Sequence, residues 1–188
     1  MKPDDSKRIA ALLERIGRLL TTEAHAEGLL PVQWETLRYL ARANRFSQNA
    51  AALTAYLGLT KGTVSQTLGT LENKGLVKKT TDQRDRRSKR LSLTGKGKSL
   101  LKRDPMEATS KVLADLSRSR RRQLAGTLEE ILSARLVLQE RQPFGQCRDC
   151  RYFARQHPEG APHFCQLLEE QLSAGDADSI CFEQQPGR

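Results

Sequence analysis

The stretch LVKKTTDQRDRRSKRLSLT, residues 76–94, most constrains what this chain can fold into. Two short β-prone runs, LVKKTT and KRLSLT, flank a densely charged centre, the pattern of a hairpin with an exposed tip. Helical patterns precede it. VQWETLRYLARAN places Val32, Leu37 and Leu40 inward, and the short, Ala-rich SQNAAALTAYLGL follows. After Thr60 comes KGTVSQTLGTLENKG, whose inward edge is Val64, Leu68 and Leu71, with Gly75 as a natural stop. Charge is concentrated in the same region. Residues 61–103 hold 13 Lys/Arg against 3 Asp/Glu, so this block carries an excess equal to the net +10 of the whole chain. A solvated basic face would account for a weaker bias; one this concentrated favours a polyanionic partner.

Helix, tight turn, helix and basic hairpin is the layout of a winged helix-turn-helix. One helix braces the backbone while the next enters the major groove, which is wide enough to accept it. The helix after Thr60 is the reading element, and Thr60 is placed to cap it. Its inward edge leaves Lys61, Thr63, Ser65, Gln66 and Gly69 facing outward or sideways. Gln66 suits a bidentate pair with adenine, and Lys61 suits phosphate or guanine. Arg84, Arg86, Arg87 and Lys89 complete the candidate contacts at the hairpin, where Asp85 can orient a neighbouring arginine.

The run from Leu53 to Leu101 resembles the multiple-antibiotic-resistance regulator (MarR) family. The resemblance is carried by Thr63-Val64-Ser65, by Leu71 through Val77, by Asp85-Arg86-Arg87, and by Leu93-Thr94 with Gly97. It covers roughly residues 5–142. It implies a transcriptional regulator rather than an enzyme, a homodimer interlocked through its first and last helices, a palindromic double-stranded DNA operator, and a wing arginine in the minor groove. It also allows a small-molecule effector. The family often has arginine where this chain has Gln66, so its base preference does not carry over.

Flanking segments fit a dimer independently. Ile9, Leu12, Leu13, Ile16, Leu19 and Leu20 form one helical stripe, and Leu124, Leu128, Ile131, Leu132 and Leu136 form another in a helix expected from about Ser117 to Gln142. A long helical region is expected from Gly95, with a kink or break within it at Pro105. With 37% apolar and 29% charged residues, the core is modest and such faces need a partner. No apolar run has the length of a membrane span and the N-terminus lacks a signal-peptide stretch, so no membrane partner and a cytoplasmic location are expected. The expected architecture is mainly α with a small β-wing. It comprises a dimerisation helix over 1–30, a winged helix-turn-helix over 31–94, dimerisation helices over 95–142 and a cysteine-rich extension over 143–188.

All four cysteines lie in that extension, spaced Cys147-x2-Cys150-x14-Cys165-x15-Cys181. Five of the nine aromatics lie there too, which predicts a small core of its own needing a staple. Three readings are open. A [4Fe-4S] cluster takes four thiolates around a body larger than one ion, and suits one close pair plus two remote cysteines. A structural Zn2+ site takes four thiolates in a tetrahedron, commonly from two Cys-x-x-Cys knuckles, of which this chain has one. A thiol switch at Cys147 and Cys150 leaves the other two cysteines without a role. His157 and His163 fall between the second and third cysteines as alternative ligands or supporting residues. No thioredoxin-like βαβ pattern surrounds the pair, which disfavours a redox enzyme. The extension directly follows the last helix, so cluster state is expected to act on the dimer's helix packing and thus on the two reading heads.

Overall fold

The computed structural model describes residues 5–81, 88–157 and 162–187. Its core is assembled around α2 (Pro31–Arg42), in which Trp34, Leu37, Tyr39 and Leu40 are all buried, together with Thr36 and Gln33. Leu37 and Leu40 were expected inside; Val32 is only half-buried, and the aromatics Trp34 and Tyr39 take the larger share of the core. Pro31 opens this helix with its φ already set, and Gln33 Oε1 accepts the Leu30 N–H at 3.1 Å.

Around α2 pack α3 (Ala50–Leu57), α4 (Lys61–Asn73) and the antiparallel wing of β1 (Val77–Thr81) and β2 (Lys89–Leu93). The helices begin at side-chain caps, as short polar residues at those positions dictate. Asn49 Oδ1 accepts the Ala52 N–H, and Thr60 Oγ1 accepts the Thr63 N–H. Val64, Leu68 and Leu71 are buried as expected, and Gly75 turns the chain out of α4 at φ 69°. Thr94 caps α5 (Gly95–Leu101) and also donates to the Gly75 carbonyl at 2.7 Å. Gly97 is required there, because a Cβ would fall 2.2 Å from the Leu76 carbonyl oxygen.

The chain breaks at Pro105 before α6 (Met106–Ala114) and continues into α7 (Arg118–Val137). α1 (Asp5–Glu23), α6 and α7 bury no residue, and Ile9, Leu12, Ile16, Leu19, Leu128 and Leu132 stand exposed along them. α7 stops short of the expected Gln142. Glu140 takes a left-handed conformation (φ 54°) and the Arg141 N–H returns to the Leu136 carbonyl, closing the helix. Arg141 then reaches the C-terminal carbonyls of α3, at Ala55 and Tyr56, and its guanidinium fills the space beside Gly58. A cation at that helix end is favoured by the helix dipole.

The cysteine-bearing tail has two sheets. β3 (Gly145–Gln146) pairs with β7 (Ile180–Cys181), and β4 (Phe153–Arg155), β5 (His163–Cys165) and β6 (Glu170–Leu172) form an antiparallel meander. The tail does not keep a core wholly to itself. Ile180 joins the main core, and Phe144 and Phe182 pack against it through a ring series from Tyr39 to Tyr56, Phe144 and Phe182. The tail is therefore seated on the winged helix at the end of α2, not on α7 as its place in the sequence suggested.

One ion pair clamps α2 to the turn before α6. The Arg38 guanidinium grips Asp104 with two bonds of 2.7 and 2.5 Å, and Asp104 also accepts the Met106 N–H. Burial opposes the charged carboxylate, but Arg38 and the Met106 N–H outweigh it and hold its pKa below the usual value. A carboxylate depressed in the folded state stabilises above its unfolded pKa of about 4, and that contribution disappears as pH falls through the folded value. Asp104→Asn is therefore expected to cost about 2 kcal/mol at pH 7. In urea denaturation the gap between variant and wild type should close on acidification below about pH 4.

Candidate nucleic-acid interface

The exposed side of α4 carries Lys61, Thr63, Ser65 and Gln66, all solvent-facing. Thr63 is partly committed to the cap, its hydroxyl lying 2.9 Å from that of Thr60. Gly69 is half-buried. Lys61 and Ser65 line a groove of about 1530 Å³ whose opposite wall is the wing, with Lys79, Thr81, Lys89 and Arg90. That volume exceeds the roughly 300–1,000 Å³ of a small-ligand cleft and suits a macromolecule. Lys89 sits on β2 and donates to Thr81 Oγ1 at 3.1 Å. Arg84, Arg86 and Arg87 lie outside the described residues.

Four residues of this region were not singled out in the sequence. Arg90 projects from β2 and donates two hydrogen bonds, each 3.1 Å, to Gln48 Oε1. Gln48 also receives the Leu91 N–H on its carbonyl at 2.7 Å and returns its amide to the Ala43 carbonyl at 3.1 Å. Arg45 stacks over Phe46 and pairs with Glu170 of the tail at 3.1 Å. Asn44 is 2% exposed and contacts the tail directly. Only a polar run, Asn44 to Asn49 interrupted by Phe46, could have flagged this corner. Its partners come from more than 40 and more than 100 residues away, which no local pattern encodes.

The tail forms the third wall of the groove, through Leu168, Glu170, Phe182 and Glu183. Its thiols are free and divide into two classes: Cys147 and Cys181 are buried, Cys150 and Cys165 half-buried. The buried pair lie close enough to influence each other's protonation. The Cys147 thiol beside it, with the Asn44 amide and the Glu183 backbone, favours the Cys181 thiolate against burial and lowers its pKa. Cys147, beside Cys181 and itself desolvated, is pushed far up. Asn44 Nδ2 lies 3.3 Å from Cys147 Sγ, and the Gln185 N–H 3.5 Å from Cys150 Sγ. Among the described residues, no three His, Cys, Asp or Glu side chains form a group that could hold a metal ion. His163 lies tilted against Phe153 with a buried Nδ1 that has no hydrogen-bond partner among the described residues, and His157 stacks on Phe164.

A capped reading helix beside a basic two-stranded wing defines a winged helix-turn-helix, a nucleic-acid-binding class. A model of the MarR family matches residues 27–88, which hold most of this unit. A MarR transcriptional regulator from Methanosarcina mazei Go1 is 26% identical with a TM-score of 0.55, over 72% of this chain and 99% of that one. The S. aureus MepR–DNA complex is 25% identical with a TM-score of 0.54, over 67% and 96%. CouR from Rhodococcus jostii RHA1, bound to p-coumaroyl-CoA, is 24% identical with a TM-score of 0.55 over 67% and 92%, a likeness of fold. Each comparison leaves more than a quarter of this chain uncovered. No curated protein matches the chain. No helix among the described residues is long and apolar enough to cross a membrane.

The cap at Thr60 sets where the reading helix starts. Thr60→Ala is expected to lower stability by about 1 kcal/mol in urea denaturation, the usual cost of losing a Thr cap.

Proposed function

We propose that this chain is a sequence-specific DNA-binding transcriptional regulator of the MarR type that acts as a homodimer on a two-fold-symmetric operator. The observation that carries this is the groove in which Lys61 and Ser65 of α4 face Lys89 and Arg90 of the wing, within the most basic block of the sequence. The apolar faces of α1 and α7 support the dimer, since each is exposed in the single chain and a second copy would cover it. Two reading heads about 34–36 Å apart would then meet successive major grooves.

Selection from random-sequence duplex DNA is expected to return a palindrome, with dimeric mass in solution; recovery of no preferred sequence would overturn the reading. On the selected site, Lys61→Ala is expected to weaken binding evenly across sequences and to lower the salt slope by about 1. Gln66→Ala is expected to relax one base position per half-site by about 1–3 kcal/mol.

For the tail we propose a cysteine-ligated [4Fe-4S] centre with Cys147, Cys150, Cys165 and Cys181 as ligands, serving redox or iron sensing. Two of the four sulfurs, Cys147 and Cys150, accept N–H donors from a fixed frame, which suits thiolate ligands. When bound, the cluster would supply one-electron chemistry; the chain's own part is to hold the thiolates and keep Cys147 and Cys181 from water. Protein purified without oxygen is expected to be brown and to contain iron and acid-labile sulfide. A colourless preparation with one zinc per chain would select the structural ion, and a metal-free one would remove the cofactor.

A further inference from the structure

We infer that the corner Asn44–Gln48, between α2 and α3, is the link through which the tail sets the position of the wing, with Asn44 and Gln48 as its positioning residues. The inference rests on the wing being a DNA-contacting element. It does not depend on what the thiols hold.

Besides the Arg45–Glu170 pair, the tail grips this corner at three points centred on the two buried cysteines. The Ile180 carbonyl accepts the Asn44 N–H at 2.9 Å, and the Phe182 N–H donates to Ser47 Oγ at 2.8 Å. These two residues flank Cys181. The third point is Cys147 itself, whose Sγ receives the Asn44 amide at 3.3 Å. Cys147 and the segment around Cys181 are thus attachment points of the tail.

Between grip and wing the chain has no slack. Asn44 Oδ1 accepts the N–H groups of Phe46 and Ser47 at 3.1 and 2.9 Å, so its side chain folds the corner onto itself. Ser47 is fully buried, and its carbonyl is held by the Tyr39 hydroxyl at 2.8 Å. Burial pushes the Tyr39 pKa well above its ordinary value, so it remains a donor. Gln48 then ends the corner on the wing, through its carbonyl to Leu91 and its side chain to Arg90. Five consecutive residues bind the tail at one end and β2 at the other. Side-chain rotation gives a displacement of β7 or of Cys147 little room, because Asn44 and Ser47 are bonded and dry and the Gln48 side chain is bonded at both its oxygen and its nitrogen. Such a displacement is passed on to β2, and with it to Lys89 and Arg90.

The test compares amide hydrogen exchange and operator binding in the full-length protein. Asn44→Asp keeps the acceptor for Phe46 and Ser47 and removes the donor to Cys147; Ser47→Ala removes the acceptor for Phe182. Neither replaces a cysteine. Either is expected to speed exchange at the Leu91 amide by about tenfold and to weaken binding to the selected operator by about fivefold. Coupling is reciprocal, so Arg90→Ala is expected to speed exchange at the Phe182 amide. Corner variants that loosen only the tail, with Leu91 unchanged, would overturn the link. Exchange coupled in both directions with operator affinity unchanged would uphold the link and remove the wing from the DNA interface. Should Asn44→Asp fail to fold, Ser47→Ala and Arg90→Ala still decide between these outcomes.

Discussion

The structure depends on keeping a small polar corner dry. Where α2 ends, Asn44 and Ser47 are buried among apolar side chains, and a buried amide or hydroxyl without a partner costs on the order of 1–3 kcal/mol. Asn44 and Ser47 meet this demand through α2 and the tail, and the adjoining Gln48 ties the corner to the wing. Tyr39 comes from α2, Leu91 and Arg90 from the wing, and Ile180, Phe182 and Cys147 from the tail. The end of α2, the wing and the tail are thereby held around one point by hydrogen bonds that none of them could form alone.

Charge is arranged around the same point. The basic groove between α4 and the wing opens toward a tail that holds 4 Lys/Arg against 7 Asp/Glu. Glu170 and Glu183 stand on its tail-side wall, and Glu170 already pairs with Arg45. Within the head, Glu72 pairs with Lys79 at 2.8 Å, so part of the wing's charge is balanced locally. A polyanion entering this groove meets cations on two sides and carboxylates on the third. This favours one direction of approach and makes the tail's position an electrostatic variable as well as a mechanical one.

Much of the head was legible in the sequence because its rules are local. Thr60 as cap, Val64, Leu68 and Leu71 as inward edge, Gly75 as stop, the paired wing strands and the break at Pro105 all follow from short-range periodicity, capping and turn chemistry. The exposed stripes on α1 and α7 were legible for the same reason. The end of α7 was not, because Glu140 adopts a left-handed conformation that favours glycine, and Arg141 finds its carbonyls on α3, 85 residues away.

The sequence by itself determined which residues carry charge, where the helices of the head begin, and that every thiol lies beyond Gln142. These depend on neighbours within one or two turns. Only the tertiary structure decided that the thiols divide into a buried and a half-buried pair, and that the tail rests on the α2–α3 corner. It also decided that Arg90 is held by Gln48. The physical reason is the range of the interactions: a cap or an amphipathic face is written in consecutive residues. The partner of a buried polar group is whichever distant segment the packed core brings within hydrogen-bond reach.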